Sequence, residues 1–137
     1  MSDIVLAQIG LGLIGQQVIA EIVEHREHWE AVYGIRVIYR ALIDTTGGVA
    51  CDEAGGYSNN DLAALLRHRQ CGGRLSTLPE EWGWTKRTAS EALTITQPFE
   101  PVIAIDTATG IRPSKLLGMN LTNRGGAGLS NNPTLAL

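Results

Sequence analysis

The sequence predicts a single α/β domain, with a doubly wound parallel sheet between two layers of helices. An apolar run at residues 4–9 opens the chain, and such a continuous run is typical of a parallel strand covered on both faces. A helical pattern follows at residues 13–29, with apolar residues three and four positions apart. A second apolar run from residue 35 then ends at Asp44. Strand, helix and strand in this order predict neighbouring parallel strands, and the chain of 137 residues predicts one domain over 1–137.

The turn between the first strand and the first helix carries Gly10, Gly12 and Gly15 in the spacing Gly-x-Gly-x-x-Gly. The first glycine permits a sharp turn, the second leaves room for a diphosphate, and the third lets the helix lie close to the sheet. Unbonded N–H groups at the helix start can hold an anion. The motif predicts a Rossmann-type dinucleotide site, and its intervening residues Leu11, Leu13 and Ile14 belong to it. A tight turn without a ligand is the alternative.

Asp44 is the strongest candidate outside the glycine turn, because a carboxylate at the end of the second strand can accept hydrogen bonds from a ribose diol. It should also repel a 2′-phosphate, which slightly favours NAD over NADP. Thr45 follows it and is included in the predicted site, although Thr45 and Thr46 could also donate to a phosphate. The alternative role for Asp44 is to cap a turn.

The middle of the chain is predicted to be less regular. Residues 45–59 are rich in Gly, Thr, Ser and Asn and predict a long surface loop. Asn59 or Asn60 should cap a short helix, which should stop at Gly72-Gly73. His68 lies among Arg67, Arg69 and Gln70 at the end of that helix, and this group is interpreted as a solvated polar end.

The last third of the chain predicts one more helix, a strand and a second part of the site. Residues 75–84 should be irregular, and Thr88 and Glu91 are spaced as the capping box of a helix over 88–95. A buried strand at 102–105 ends at Asp106, and the segment after it can line the nicotinamide side of the cleft. Pro113 suits the start of a helix, and residues 125–130 a last strand. The predicted site residues here are Thr107, Ala108, Thr109 and Asn131.

Composition excludes several classes of function. With 11 basic and 14 acidic residues mixed along the chain, no basic stripe indicates nucleic acid. No apolar stretch is long enough to span a bilayer, and the first strand leaves no space for a signal peptide, so a cytoplasmic location is expected.

Cys51 and Cys71 are interpreted as free thiols. His25 and His28 lack the surrounding pattern of a metal site, and no metal is expected.

Taken together, these segments resemble the amino-terminal nucleotide-binding domain of the homoserine dehydrogenase family. The glycine turn and Leu42-Ile43-Asp44 match the family's first turn and second strand. Gly72-Gly73-Arg74-Leu75-Ser76 looks like its Gly-Gly-x-Leu-Ser turn, and Pro101-Val-Ile-Ala-Ile-Asp106 like its later strand ending in Val-Asp. The resemblance implies NAD(P)-linked interconversion of aspartate semialdehyde and homoserine, with the protein orienting the cofactor.

Two positions depart from the family pattern. Ala108 stands where the family usually has Thr, and Asn131 is followed by Asn132 where the family has Asn-Lys. The chain also contains no segment that resembles the family's catalytic domain, so no catalytic residue is assigned. The leading expectation is a cofactor-binding domain that turns over little or nothing alone, with a catalytic-domain partner or self-association as possible interactions. The alternatives are a non-catalytic nucleotide-sensing or partner-docking module, and a methyltransferase that binds S-adenosylmethionine.

Overall fold

The computed structural model describes residues 2–51, 53–95, 102–106 and 127–130. The strands are β1 (Ser2–Ile9), β2 (Ile35–Asp44), β3 (Gly47–Ala50), β4 (Lys86–Arg87), β5 (Val102–Asp106) and β6 (Ala127–Ser130). The helices are α1 (Leu13–Tyr33), α2 (Asn59–Gln70) and α3 (Ala89–Ile95), and two short 3₁₀ turns lie at Leu75–Thr77 and Glu80–Trp82.

The described strands form one sheet in the order β4-β3-β2-β1-β5-β6. β1 lies parallel to β2 on one side and to β5 on the other, and β6 continues the parallel part beyond β5. Ile9 pairs with Ile43 and with Asp106, so three parallel strands end at the same edge of the sheet. The predicted α/β class and the predicted pairing of the first two strands are confirmed.

The prediction of a surface loop over residues 45–59 is wrong at residues 47–50, which form β3. This strand runs antiparallel to β2 after a two-residue turn, Thr45-Thr46, which makes that side of the sheet mixed. Val49 is fully buried, and a Cβ on Gly48 would lie 2.9 Å from the Cβ of Ala92. The glycine here permits close packing against α3. Composition alone does not distinguish such a strand glycine from a glycine in a loop.

The helices begin close to their predicted starts, and α1 is longer than predicted. It continues past Trp29 to Tyr33 and ends at Gly34, whose φ of 65° lies in the left-handed region that favours glycine. The N-cap of α2 is Ser58 rather than an asparagine, because Ser58 and Asp61 form a reciprocal capping box. The predicted box of Thr88 with Glu91 is present at the start of α3.

The sheet has a core on each face. On one face Val5, Ala7 and Ile9 of β1 pack with Ala92 and Leu93 of α3. The opposite face packs against α1 and α2 through these buried side chains: Leu6, Leu11, Ile19, Ile22, Tyr39, Leu42, Val49, Tyr57, Leu62, Leu65, Leu75 and Leu78. Successive side chains of β1 alternate between the two cores, as the pleat of a strand requires. None of the helices in the described ranges is long and apolar enough to cross a membrane.

Candidate functional site

The glycine turn lies at the edge where β1, β2 and β5 end. Gly10 has a φ of 99°, which a residue with a Cβ rarely adopts, and its N–H donates to the carbonyl of Ile43 at 2.8 Å. Gly12 is the N-cap of α1, and a Cβ built there would meet no atom within 4 Å. No side chain caps this helix start and its first turn carries no acidic residue. The turn therefore presents main-chain N–H groups beside open space, which suits an anion.

The third glycine and its neighbours have different surroundings. Gly15 is buried, whereas the side chains of Leu13 and Ile14 are 87% and 56% exposed. Leu11 is buried and belongs to the core on the α1 face. The five other residues of the turn therefore surround Gly12 with one anchored side chain, two buried glycines and two exposed apolar side chains.

A buried polar chain beneath the turn was missed by the sequence analysis. Gln8 is fully buried, and its Nε2 donates to the carbonyl of Gly15 at 2.9 Å and to that of Gly10 at 3.2 Å. Tyr39 in turn donates its hydroxyl to Gln8 Oε1 at 2.8 Å. Burial raises the pKa of the Tyr39 phenol well above its ordinary value, so the hydroxyl keeps its proton and its role as donor. The signal in the sequence was a single amide within an apolar strand.

Asp44 lies at the end of β2, as predicted, and its side chain is already engaged. Oδ1 accepts hydrogen bonds from the N–H and the hydroxyl of Thr46, at 2.7 and 2.6 Å. Oδ2 accepts from the N–H of Leu75 at 2.9 Å. A carboxylate has about four acceptor positions, so one is left for a ligand. The turn-capping role is therefore present in the structure, and a ribose contact remains compatible with it. Thr45 is exposed beside it.

The loop after α2 is bonded to the end of β2. Besides the bond from Leu75 to Asp44, the N–H of Ser76 donates to Thr46 Oγ1 at 3.2 Å. His68 Nε2 lies 2.9 Å from the carbonyl oxygen of Arg74, and a Cβ on Gly73 would collide with the His68 ring. A side chain at this position would therefore have to displace the histidine ring. The loop ties the predicted Gly-Gly-Arg-Leu-Ser element to the end of β2.

The interpretation of the α2 end as a solvated polar group is wrong for His68 and Arg69. Arg69 Nε donates to the carbonyl of Leu11 at 2.8 Å, across 58 positions of sequence. Hydrogen bonds between residues so far apart depend on how α2 packs beside the glycine turn, which local charge does not reveal.

An open cavity of about 560 Å³ adjoins Asp44. Lys86 and Arg87 line it from β4, and Glu91 from the start of α3. The Nε of Arg87 is buried and has no hydrogen-bond partner among the described residues. The cavity therefore combines the predicted ribose carboxylate with two basic side chains.

Four predicted site residues, Thr107, Ala108, Thr109 and Asn131, lie outside the described residues, as does the helix predicted after Pro113. The strands that precede them are in place, since β5 ends at Asp106 and β6 at Ser130. His25 Nε2 lies 3.3 Å from Glu21 Oε2 on the surface of α1, the spacing of an ordinary helical pair. Cys51 and Cys71 are free thiols, as predicted.

Comparisons with known proteins identify the fold. No family model and no curated protein sequence matches the chain. Among solved structures it is similar to a hyperthermophilic archaeal homoserine dehydrogenase mutant in complex with NADPH, with a TM-score of 0.72 and 15% identity over 97% of this chain and 37% of that one. It is also similar to S. aureus homoserine dehydrogenase at pH 6.0, with a TM-score of 0.58 and 14% identity over 98% of this chain and 28% of the enzyme.

The S. aureus enzyme at pH 7.0 gives a TM-score of 0.55 and 12% identity over 95% of this chain. The chain thus spans between about a quarter and two fifths of the length of the proteins it matches. At these identities the likeness concerns the fold. The chain has an α/β fold similar to the matching part of homoserine dehydrogenases, and the resemblance expected from its motifs is confirmed at that level.

Proposed function

We propose that the chain binds NAD(P) at the glycine turn and is the cofactor-binding part of a homoserine-dehydrogenase-like oxidoreductase. The observation that carries this proposal is the geometry of the turn. Gly10 bends the chain at a positive φ, and Gly12 then starts α1 beside unfilled space with no side-chain cap. The similarity of the fold to an archaeal homoserine dehydrogenase in complex with NADPH supports the same ligand class.

In this proposal the main-chain N–H groups of residues 11–15 hold the diphosphate, with the positive end of the α1 dipole behind them. Asp44 accepts a hydrogen bond from the adenosine ribose at its remaining acceptor position, and Thr45 lies next to it. Thr107, Ala108, Thr109 and Asn131 are proposed to face the nicotinamide half. When bound, the nicotinamide gives or takes the hydride, and the protein fixes its place.

The proposed preference is slightly for NAD. A carboxylate at Asp44 repels a 2′-phosphate, and three hydrogen bonds hold this carboxylate in place at the end of β2. Lys86 and Arg87 line the adjoining cavity and act in the opposite direction, so NADP should bind as well. The expected preference is therefore small.

The proposed reaction is hydride transfer between the cofactor and aspartate semialdehyde or homoserine. It requires a substrate-binding, catalytic domain as partner, and the chain alone is proposed to bind cofactor without turnover. A cytoplasmic location stays a prediction, as does self-association. Adding the catalytic domain of a homoserine dehydrogenase and measuring homoserine oxidation distinguishes this proposal from a nucleotide-sensing or docking module, which would show no activity.

Fluorescence titration with NADH and with NADPH tests the proposal directly, and saturable binding of either is the expected result. Gly12→Val is the decisive variant. The φ of Gly12 is −76°, which suits any residue, and the added side chain meets open space. The variant should therefore fold normally. It should nevertheless lose dinucleotide affinity by about tenfold or more, because the side chain fills the diphosphate position. Unchanged affinity in Gly12→Val would overturn the proposal.

A further inference from the structure

The carbonyl of Leu11, within the glycine turn, accepts two side-chain hydrogen bonds. Arg69 Nε donates from α2 at 2.8 Å, and Gln16 Nε2 donates from α1 at 3.0 Å. Leu11 itself is buried, so its side chain is anchored in the core as well. The Leu11–Gly12 peptide is therefore held on its carbonyl side by donors from two different helices.

The direction of this carbonyl determines the direction of the next N–H. In a planar trans peptide the C=O and the following N–H point in opposite directions. Because the Leu11 oxygen points toward Arg69, the N–H of Gly12 points away from Arg69. A Cβ on Gly12 would meet no atom within 4 Å, so the space around this residue is open.

The same guanidinium also reaches the loop after α2. Arg69 Nη1 lies 3.4 Å from the carbonyl oxygen of Gly73, where the loop begins that donates to Asp44 through Leu75. The contact is long and therefore weak. It places one charged side chain between the glycine turn, proposed for the diphosphate, and the loop bonded to Asp44, the proposed ribose residue.

We propose that Arg69 is a positioning residue for the dinucleotide, which turns the Gly12 N–H toward the diphosphate without touching the cofactor itself. The proposal rests on the proposed function of the glycine turn. A guanidinium is suited to this role, because it offers several donors in a rigid plane and stays charged at every physiological pH.

Three variants test this role. Arg69→Met keeps the length of the side chain and removes its donors, and Arg69→Lys keeps the charge and removes the planar fork. Arg67→Met is the matched control, since Arg67 is exposed two positions away on the same helix. We expect Arg69→Met to weaken NADH binding about tenfold, Arg69→Lys less, and Arg67→Met less than twofold.

Two further measurements separate positioning from a general loss of structure. The amide signal of Gly12 in the ¹⁵N–¹H spectrum of the free protein should shift in Arg69→Met and stay in place in Arg67→Met. In Arg69→Ala, millimolar guanidinium should restore part of the NADH affinity by replacing the missing donor. A variant that had lost its fold would not be restored in this way.

The outcomes are distinguishable. If the wild-type chain binds neither NADH nor NADPH, the proposed function is wrong and the role of Arg69 falls with it. If the wild type binds and Arg69→Met binds within twofold of it, the positioning role is wrong and the proposed function stands. An equal loss in Arg67→Met would show that positive charge near the cleft, and not the bond to Leu11, is responsible.

Discussion

At the scale of single residues, Gln8 shows how a polar side chain can support a glycine turn from inside the core. It accepts from Tyr39 and donates to Gly10 and Gly15, so its amide is satisfied on both sides. Such a fully paired network fixes the positions of its members, whereas a partly paired one is costly. The glycines permit the turn, and the amide beneath them selects one conformation.

Replacing Gln8 by Leu should destabilise the fold by about 1–3 kcal/mol, because the hydroxyl of Tyr39 loses its acceptor inside the core. Urea unfolding measures the loss. The double variant with Tyr39→Phe should recover part of it, since no buried hydroxyl is then left unpaired. A double variant less stable than Gln8→Leu alone would contradict this account.

Asp44→Asn should affect both stability and binding. The amide retains an oxygen for Thr46, but its NH₂ group then faces the N–H of Leu75, so two donors oppose each other. We expect a loss of about 1–3 kcal/mol in unfolding free energy, weaker NADH binding and a higher ratio of NADPH to NADH affinity. Glu81→Gln, at an exposed carboxylate in the second 3₁₀ turn, is the control. A larger NADH preference in Asp44→Asn would refute the repulsion argument.

At the scale of elements, apolar periodicity and capping patterns correctly predicted the helices and strands that depend on residues close together in the sequence. β1, β2 and α1 follow from apolar periodicity and glycine, and the box of Thr88 with Glu91 was correctly placed. β3 was missed because its turn, Thr45-Thr46, lacks the Asn-Gly or Asp-Gly signal of a hairpin. Asp44 supplies the missing turn chemistry by accepting from Thr46, a capping role that the sequence predicted only as the alternative for Asp44.

The capping box of α2 gives a prediction for this element. Ser58→Ala removes the acceptor for the N–H of Asp61, at 3.1 Å, and should lower the unfolding free energy by about 1 kcal/mol. Asn60→Ala, at an exposed position in the same turn, should change it by less than about 0.5 kcal/mol. Chemical denaturation compares the two. Because α2 carries Arg69, the NADH affinity of Ser58→Ala reports whether fraying at one end reaches the other.

At the scale of the whole molecule, the sequence predicted which edge of the sheet carries the site. It did not predict the hydrogen bonds that join the segments around that edge. Parallel strands bring Gly10, Asp44 and Asp106 to one edge, which follows from topology alone. The bonds from Arg69 to Leu11 and from Leu75 to Asp44 connect segments far apart in sequence. These bonds form only when α2 and the loop after it pack against the sheet, and no local sequence pattern indicates that packing.

Ligand binding should be visible in the stability of the entire domain. A ligand that binds only the folded state adds about 2.7 kcal/mol at a concentration one hundred times its Kd. NADH at one hundred times the wild-type Kd should therefore raise Tm by several degrees in the wild type. In Gly12→Val, whose affinity is expected to be lower by about tenfold or more, the same concentration adds at most about 1.4 kcal/mol and should raise Tm by about half as much or less. A thermal shift assay measures both. An equal rise in the two proteins would show that the nucleotide binds elsewhere.

The position of β1 between β2 and β5 also bears on how fast the molecule folds. Val5 pairs with Val102, so the centre of the sheet is completed only when a loop of about a hundred residues closes. The β2–β3 hairpin and the β1–α1–β2 unit involve far shorter loops. On the ribosome, this first half can assemble while the strand that completes its centre has not yet been synthesised, and the bare edge of β1 is then open to pairing with other chains.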